Sequence, residues 1–273
     1  MTKQDLRIIF LGTPDFATAS LRALVEGGYN VVAAVTMPDK PAGRGHQLQF
    51  SDVKKYALSV GIPVLQPEKL KDESFIEQLR SYKADLQIVV AFRMLPEIVW
   101  SMPRLGTFNL HGSLLPQYRG AAPINWAVIN GEKSTGVTTF MLKHEIDTGN
   151  IIMQESTPID ENENVGNVYD RLMHIGQTVV TRTVDLIIES ENTNTPLRTI
   201  PQTETTELRP APKLFKDTCE IHFDQMTATQ VKNFGRGLSP YPAAFTELVR
   251  DGKVTQMKIY GSQKVTGDEY ADM

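Results

Sequence analysis

Short apolar runs that alternate with helical patterns limit the possible folds of this chain more than any other feature. Over residues 7–111 the runs RIIFL, VVAAVT, IPVL, DLQIVVAF and GTFNLH read as buried strands. Helical patterns separate them near 14–26, 51–60, 73–82 and 95–101. For the first helix we expect Thr13 as the N-cap, Pro14 at the first helical position and an end at Gly27-Gly28.

Strands that are apolar along their whole length and joined by single helices are typical of a parallel sheet covered on both faces. The predicted fold class is therefore α/β, with a Rossmann-like, doubly wound, mostly parallel sheet. Such sheets bind ligands at the carboxyl ends of their strands, near a switch in strand order. GTPDF (12–16) and NLHGS (109–113) each follow a strand, so we expect them at the same rim.

The rest of the chain suggests two further parts. Residues 134–142 and 150–153 resemble a strand pair, and 165–189 fit a long amphipathic helix. Residues 190–210, rich in Thr, Pro, Asn and Glu, predict a linker. Short β-like runs follow and predict a small all-β module. We therefore expect a catalytic domain over 1–189, a linker over 190–210 and a C-terminal domain over 211–273.

Composition excludes several classes of protein. One cysteine, Cys219, cannot form an intrachain disulfide and fits a reducing compartment. The first residues lead directly into a strand and do not read as a signal peptide. No apolar run approaches the roughly 20 residues that span a bilayer, so we expect a cytoplasmic protein without a membrane partner. With a net charge of -4, nucleic-acid binding would need a local basic patch.

Three polar residues are the candidates for chemistry. Asn109 and His111 leave a buried strand two positions apart, so both point to the same face. Asp147, in the turn HEIDTG between two strands, could orient or polarise the imidazole. Read singly, such a histidine is more often structural and such an aspartate more often forms the turn. Because no Ser or Cys nucleophile accompanies them, the set suggests direct transfer to an incoming substrate.

Other sites are less well supported. The five histidines form no H-x-x-x-H pair, and one cysteine cannot build a zinc cluster, so we expect no metal. The segment 37–55 is locally basic and rich in Gly and Pro, with Lys40, Arg44, Lys54 and Lys55. It is either a solvated loop or a clamp for phosphates, since Gly permits close backbone approach and Arg makes forked contacts.

Five segments together resemble one family. LGTPDFA (11–17), PDKPAGRG (38–45), NLHGSLLPQYRGAAPINW (109–126) and EIDTGNII (145–152) occur in that order, and the tail carries GLSPYPAAF (237–245). The chain resembles the methionyl-tRNA formyltransferases, within the wider group that uses 10-formyltetrahydrofolate. The resemblance implies a C-terminal barrel of OB type. A five-stranded barrel needs more than the 60 or so residues after the linker, so we expect this domain to be partial.

The resemblance also assigns roles to residues. It implies that Asn109, His111 and Asp147 are catalytic, and that the 141–147 turn lines a folate pocket. It implies that Lys40 and Arg44, in the 38–50 loop, contact the acceptor end of the tRNA. The implied folate-binding residues are Val89, Val90, Ala91, Phe92 and Leu95 at one strand end, and Ser113, Leu114, Leu115 and Pro116 in the signature loop.

The implied reaction moves a formyl group from 10-formyltetrahydrofolate to the α-amino group of initiator methionyl-tRNA, for translation initiation, by a protein expected to be a monomer. Asn109 and His111 would stabilise the oxyanion, and Asp147 would aid proton transfer. A formyltransferase for a small amine, such as an amino sugar nucleotide, is the main alternative. The PAGRG loop and the OB-like tail weigh against it. A non-catalytic RNA- or folate-binding protein and a nicotinamide oxidoreductase are weaker alternatives.

Overall fold

A computed structural model describes residues 1–42, 47–203, 207–263 and 265. One sheet dominates it, with the strand order β5-β2-β1-β6-β7-β8-β9. A small hairpin, β3–β4, stands apart from that sheet, and β10–β11 form a second hairpin near the C-terminus. The strands are β1 Ile8–Gly12, β2 Val31–Val35, β3 Lys40–Ala42, β4 Gln47–Gln49, β5 Val64–Leu65, β6 Leu86–Val90, β7 Thr107–His111, β8 Ser134–Met141, β9 Ile151–Pro158, β10 Ala244–Arg250 and β11 Lys253–Ile259.

The main sheet is parallel from β5 to β7, and β8 and β9 are antiparallel additions. Helices cover both of its faces, which confirms the predicted fold class. The helices are α1 Asp15–Glu26, α2 Asp52–Ser59, α3 Glu73–Ser81, α4 Glu97–Trp100, α5 Pro123–Ile129, α6 Val165–Thr193 and α7 Ala228–Leu238.

Strand β1 shows how the sequence builds two cores. Ile8 and Phe10 pack with α1 and α6 on one face. Ile9 and Leu11 alternate with them and pack with α3 and α4 on the other face. All four side chains are fully buried. A strand without polar positions has no face to present to water, so it belongs at the centre of a doubly wound sheet.

The start of α1 differs from the prediction by one residue. Pro14, not Thr13, is the N-cap, because Pro14 has the extended ψ of 179° and the helix begins at Asp15. The Asp15 carboxylate accepts a hydrogen bond from the Phe16 backbone N–H at 2.8 Å. The end is as predicted: α1 stops at Glu26, and Gly28 has a positive φ of 76°.

The order of the strands determines where a ligand can bind. Strand β1 pairs with β2 on one side and with β6 on the other, so the chain winds in opposite directions from this point. In open α/β sheets the crevice for ligands lies at such a switch, beyond the carboxyl ends of the strands. Here that edge is formed by the segments that follow β1, β6 and β7.

The linker is not a free connection. Helix α6 continues to Thr193, past the predicted end at residue 189. The following segment then pairs with the main body: Ile200 exchanges two backbone hydrogen bonds with Ile151, both 2.8 Å long. Further along, the Ala211 N–H donates to Arg119 O at 2.8 Å. The polar composition of this segment predicts a linker, and its backbone supplies the contacts with the main body.

The C-terminal module has the short strands that were expected, but it is not all-β. Its described part has a 3-10 turn at Asp217–Cys219, helix α7 and the β10–β11 hairpin. A capping box begins α7, in which Thr227 and Gln230 each bond the other's backbone N–H. The T-x-x-Q spacing predicts such a start. The sequence does not indicate this helix, because Gly235 and Gly237 lie within it and glycine disfavours helix interiors.

The module packs directly on the larger domain. A Cβ on Gly237 would lie 2.8 Å from the Ile129 backbone nitrogen, so α7 approaches α5 more closely than a side chain would allow. Asn125 Nδ2 donates to Gly237 O at 2.9 Å. Buried Arg236 donates to the carbonyls of Asp160 and Glu163, and burial lowers the pKa of its guanidinium.

None of the helices in the described ranges is long and apolar enough to cross a bilayer.

Candidate active site

A cavity of about 710 Å³ opens at the predicted edge of the sheet. Its wall comes from the β1–α1 connection, the loop after β6, the end of β7, residues 120–125, the loop 142–147 and one side chain of α6. The two motifs expected at a common rim, GTPDF and NLHGS, both contribute to this wall through Pro14, Phe16 and Asn109–Gly112.

Asn109, His111 and Asp147 all line this cavity. Asn109 is half-buried, while His111 and Asp147 are only 7% and 9% exposed. Because β7 is extended, Asn109 and His111 face the cavity together, as their spacing predicts. Within the part of the chain that the structure describes, the Asn109 amide has no hydrogen-bond partner, so its N–H groups can bind a ligand.

The His111 imidazole is held through one of its nitrogens. Nε2 lies 2.8 Å from the carbonyl oxygen of Tyr118, which can only accept, so Nε2 carries a proton and donates it. The other nitrogen, Nδ1, lies 3.9 Å from Asp147 Oδ2. Nδ1 is therefore the nitrogen that can gain or lose a proton while the ring stays in place.

Tyr118 is a residue that the sequence did not point to. It adopts a positive φ of 60°, and its buried hydroxyl donates to Glu132 at 2.5 Å. Burial raises the pKa of this hydroxyl, and the bond to Glu132 adds to the effect. Since the contact to His111 uses a backbone carbonyl, no residue type in the sequence could have indicated it.

Asp147 is held as firmly as His111. Its φ is 54°, a left-handed conformation that aspartate tolerates better than most residues. Its Oδ2 accepts a hydrogen bond from the Gly120 N–H at 3.2 Å, and its backbone carbonyl accepts one from Gln202 at 2.8 Å. A buried carboxylate thus stands beside the free edge of the imidazole, in a geometry that stabilises positive charge on that ring.

Part of the cavity wall is an apolar slot. Val89, Phe92, Leu95, Trp100 and Leu142 line it, together with Ala91. Ala91 has a positive φ of 47°, which turns the chain away from the sheet after β6. No backbone N–H of residues 91–95 has a protein partner among the described residues. The slot therefore offers apolar walls to the face of a planar ring, and the loop 91–95 offers backbone N–H donors to the polar edge of that ring.

Five of the residues implied as folate-binding are not part of the cavity wall: Val90, Ser113, Leu114, Leu115 and Pro116. Val90 is fully buried in the core. The Ser113 hydroxyl donates to Gln117 O, and Thr138 Oγ1 donates to Ser113 O, both at 2.7 Å. These contacts tie the signature loop to β8, where it supports the path from His111 to Tyr118. That these five residues bind folate stays a prediction.

The two residues implied to contact tRNA fall in different places. Lys40 is exposed at the start of β3. Arg44 lies outside the described residues. The nearby Lys54 is turned inward: its ammonium lies 2.5 Å from Asp39 Oδ2, and this bond holds the pKa of Asp39 below its usual range.

Tyr169 of α6 was also missed, and it closes the side of the cavity near α1. Its hydroxyl donates to Asp15 at 2.5 Å, and its ring packs on Phe16 with centroids 5.2 Å apart. Burial, followed by the bond to Asp15, raises the pKa of Tyr169. Tyr169 fits the amphipathic pattern of α6, so its place in the sequence does not indicate that its ring lines a cavity.

Among the described residues, no three His, Cys, Asp or Glu side chains are grouped as a metal site would require.

Comparison with known families and proteins agrees with this arrangement. Residues 6–184 match the formyl transferase family, and residues 213–272 match the family described as formyl transferase, C-terminal domain. The methionyl-tRNA formyltransferase of Bacteroides fragilis is 62% identical over 269 residues, which are 97% of this chain and 81% of that protein.

Solved structures share the fold at low sequence identity. A sugar N-formyltransferase from a Shewanella species superposes with a TM-score of 0.70 at 17% identity, over 96% of this chain and 99% of that one. HypX from Aquifex aeolicus, in complex with tetrahydrofolic acid, gives a TM-score of 0.62 at 18% identity, over 91% of this chain and 36% of that one.

Proposed function

This chain belongs to the formyl transferase family, and we propose that it moves a formyl group from 10-formyltetrahydrofolate to the α-amino group of initiator methionyl-tRNA. The product is the formylated methionyl-tRNA, which is used to begin translation. One observation carries the chemistry: the free edge of an anchored imidazole faces a buried carboxylate, beside an unpaired amide, in one cavity. The 62% identical relative carries the choice of acceptor.

The cavity fits the formyl donor. The apolar slot formed by Val89, Phe92, Leu95, Trp100 and Leu142 suits the flat face of a pterin ring, and the free backbone groups of 91–95 suit its polar edge. Asn109 and His111 line the same cavity, so we expect a formyl group carried beyond the ring to meet these two side chains. When bound, this donor supplies an activated one-carbon unit on its N10 atom.

Asn109 and His111 are proposed to stabilise the negative charge that develops on the formyl oxygen during attack. The Asn109 amide donates from one side. His111 can donate only through Nδ1, since Nε2 is already bonded to the Tyr118 carbonyl. One such donor contributes roughly 10²–10³ in rate.

Proton balance gives Asp147 its role. As the acceptor nitrogen bonds to the formyl carbon it must lose a proton, and N10 must gain one as its bond to that carbon breaks. A free α-amino group has a pKa of about 7.7–8.0, so much of it can attack as the neutral amine. His111 Nδ1 is placed to carry the proton between the two nitrogens. Asp147, 3.9 Å away, stabilises the charged ring in the meantime. Such transfers contribute about 10²–10⁴.

The tRNA body would bind outside the cavity. We propose that exposed Lys40 contacts the phosphates of the acceptor end, with Arg44 as its partner, and that the C-terminal domain, proposed to be of OB type, supports the rest. A Lys40→Ala variant should weaken tRNA affinity and reduce its salt dependence. Because the acceptor belongs to translation, we propose a cytoplasmic enzyme, and we propose that it acts as a monomer.

A formylation assay tests the function. The protein is given 10-formyltetrahydrofolate with methionyl-tRNA, uncharged tRNA or a UDP-amino sugar, and the formylated product is identified by mass. Formyl transfer to methionyl-tRNA alone is the expected result. Transfer to the amino sugar and not to methionyl-tRNA would establish the alternative function instead, that of a sugar formyltransferase.

A further inference from the structure

The linker supplies a side chain to the turn that holds Asp147. Gln202 is half-buried, and its Nε2 donates to two carbonyl oxygens of this turn, Asp147 O at 2.8 Å and Gly149 O at 2.9 Å. Its Oε1 accepts from the Arg119 guanidinium, at 2.8 Å from Nη2 and 3.2 Å from Nε. One amide thus connects the turn with the loop that follows His111.

The chemistry fixes the orientation of this amide. Carbonyl oxygens can only accept and a guanidinium can only donate, so the NH₂ group must face the turn and the oxygen must face Arg119. A carboxylate at this position would keep the contact to Arg119 but would place an acceptor against two acceptors. Only glutamine and asparagine combine these donors and this acceptor on one planar group, and asparagine is one methylene shorter.

The turn needs such a support because of its conformation. Asp147 has a left-handed φ of 54°, a conformation that persists when surrounding contacts hold it. On the side of β8 the turn is packed so closely that a Cβ on Gly149 would lie 1.6 Å from Met141 O. Gln202 holds the same turn through its two hydrogen bonds. Together these contacts set the direction in which the Asp147 carboxylate points.

The linker also supports the loop that anchors His111. The Tyr118 N–H donates to Arg209 O of the linker at 2.7 Å, and the Ala121 N–H donates at 2.7 Å to the carbonyl oxygen of Ala211, the first residue after the linker. Between these two bonds lie the Tyr118 carbonyl that holds His111 Nε2 and the Gly120 N–H that holds Asp147 Oδ2. His111 is therefore attached to the linker through Tyr118, whereas Asp147 is bonded to the linker directly, through Gln202.

We propose that Gln202 is a positioning residue for catalysis, which acts by fixing the Asp147 carboxylate beside His111 Nδ1. This inference rests on the proposed function of the site. It extends that function from the catalytic domain to the linker, which also leads to the C-terminal domain.

The test compares Gln202→Met, Gln202→Glu and a matched control. Methionine keeps much of the volume and removes all the hydrogen bonds, while glutamate removes only the two donors to the turn. Asn150→Ala is the control, because exposed Asn150 donates to Thr199 of the same linker at 3.3 Å but does not touch Asp147 through its side chain. Melting temperatures identify any variant that fails to fold.

Three readouts are expected to agree. Both Gln202 variants should lower kcat by about 10–100-fold, the range for a misplaced catalytic group, with little change in KM for methionyl-tRNA, while Asn150→Ala stays within about twofold. In an Asp147→Asn background, Gln202→Met should cost less than about twofold, because the effect passes through the carboxylate. Hydrogen exchange at the Gly120 amide should speed up by about tenfold or more, since that N–H reports the position of Asp147.

The inference is overturned if folded Gln202→Met keeps the wild-type kcat, if its loss is undiminished without the Asp147 carboxylate, or if exchange at Gly120 is unchanged. A wild-type protein that formylates none of the acceptors would reject the proposed function instead. In that case the exchange measurement alone still decides whether Gln202 holds Asp147.

Discussion

Replacing Asp147 by asparagine removes one negative charge from the cavity while keeping the size of the side chain. The charge lies 3.9 Å from His111 Nδ1, and both side chains are almost excluded from water. At an effective dielectric constant of about 20, two unit charges at this separation attract by about 4 kcal/mol. If the transition state contains a protonated His111, that energy corresponds to a loss of about 10³-fold in kcat.

The assay is single-turnover formylation of methionyl-tRNA at saturating 10-formyltetrahydrofolate, with tRNA affinity measured separately by filter binding. We expect the rate to fall about 10³-fold and the affinity to stay the same, since the carboxylate contributes after binding. Asp52→Asn is the control, because among the described residues this exposed carboxylate forms an ion pair with Lys55 alone, on the surface at 3.1 Å. An Asp147→Asn enzyme that kept its rate within about threefold, while His111→Ala lost more than about 10²-fold, would refute this reasoning.

Three further predictions concern the amide, one glycine and acid stability. Asn109→Ala should lower kcat by about 10²–10³-fold without weakening tRNA binding; an equal rise in the dissociation constant of the tRNA would instead assign Asn109 to binding. Gly149→Ala should lower the free energy of unfolding by about 1–3 kcal/mol, seen in a urea titration, since its Cβ would lie 1.6 Å from Met141 O. A hydrogen bond from Arg171 holds the pKa of Glu163 below its usual 4.5, so its contribution to stability is present above about pH 4.5 and is lost as the pH falls through the folded-state pKa. Glu163→Gln should therefore lower Tm at pH 7, by a difference that shrinks at lower pH; a difference that grew on acidification would contradict this sign.

Much of the sheet is readable from the sequence because its strands are apolar on both faces. A strand such as Ile8–Gly12 has no alternative location, and the helices around it follow from their amphipathic spacing. The C-terminal helix was missed for a physical reason. Two glycines near its end lower its helix propensity, and the helix forms because Gly237 lets it pack against Ile129. Tertiary packing outweighs local preference there.

The candidate site was predictable to the extent that it depends on side-chain chemistry at strand ends. Asn109, His111 and Asp147 have the functional groups that the proposed reaction needs, and the topology brings them to one cavity. The groups that hold them were not predictable. The Tyr118 carbonyl is a backbone atom, and Gln202 lies 55 residues from Asp147 in a segment whose polar composition resembles any exposed linker.

A crystal structure with a non-reactive analogue of 10-formyltetrahydrofolate would test the central claim most directly, through the distances from the formyl oxygen to the protein. We predict that the Asn109 side-chain nitrogen and His111 Nδ1 both lie about 2.7–3.1 Å from the position that this oxygen takes as charge develops on it. His111 Nε2 should still be bonded to the Tyr118 carbonyl. A formyl group bound at the opposite end of the cavity, or an imidazole whose Nδ1 points away from both the formyl oxygen and Asp147, would contradict the account.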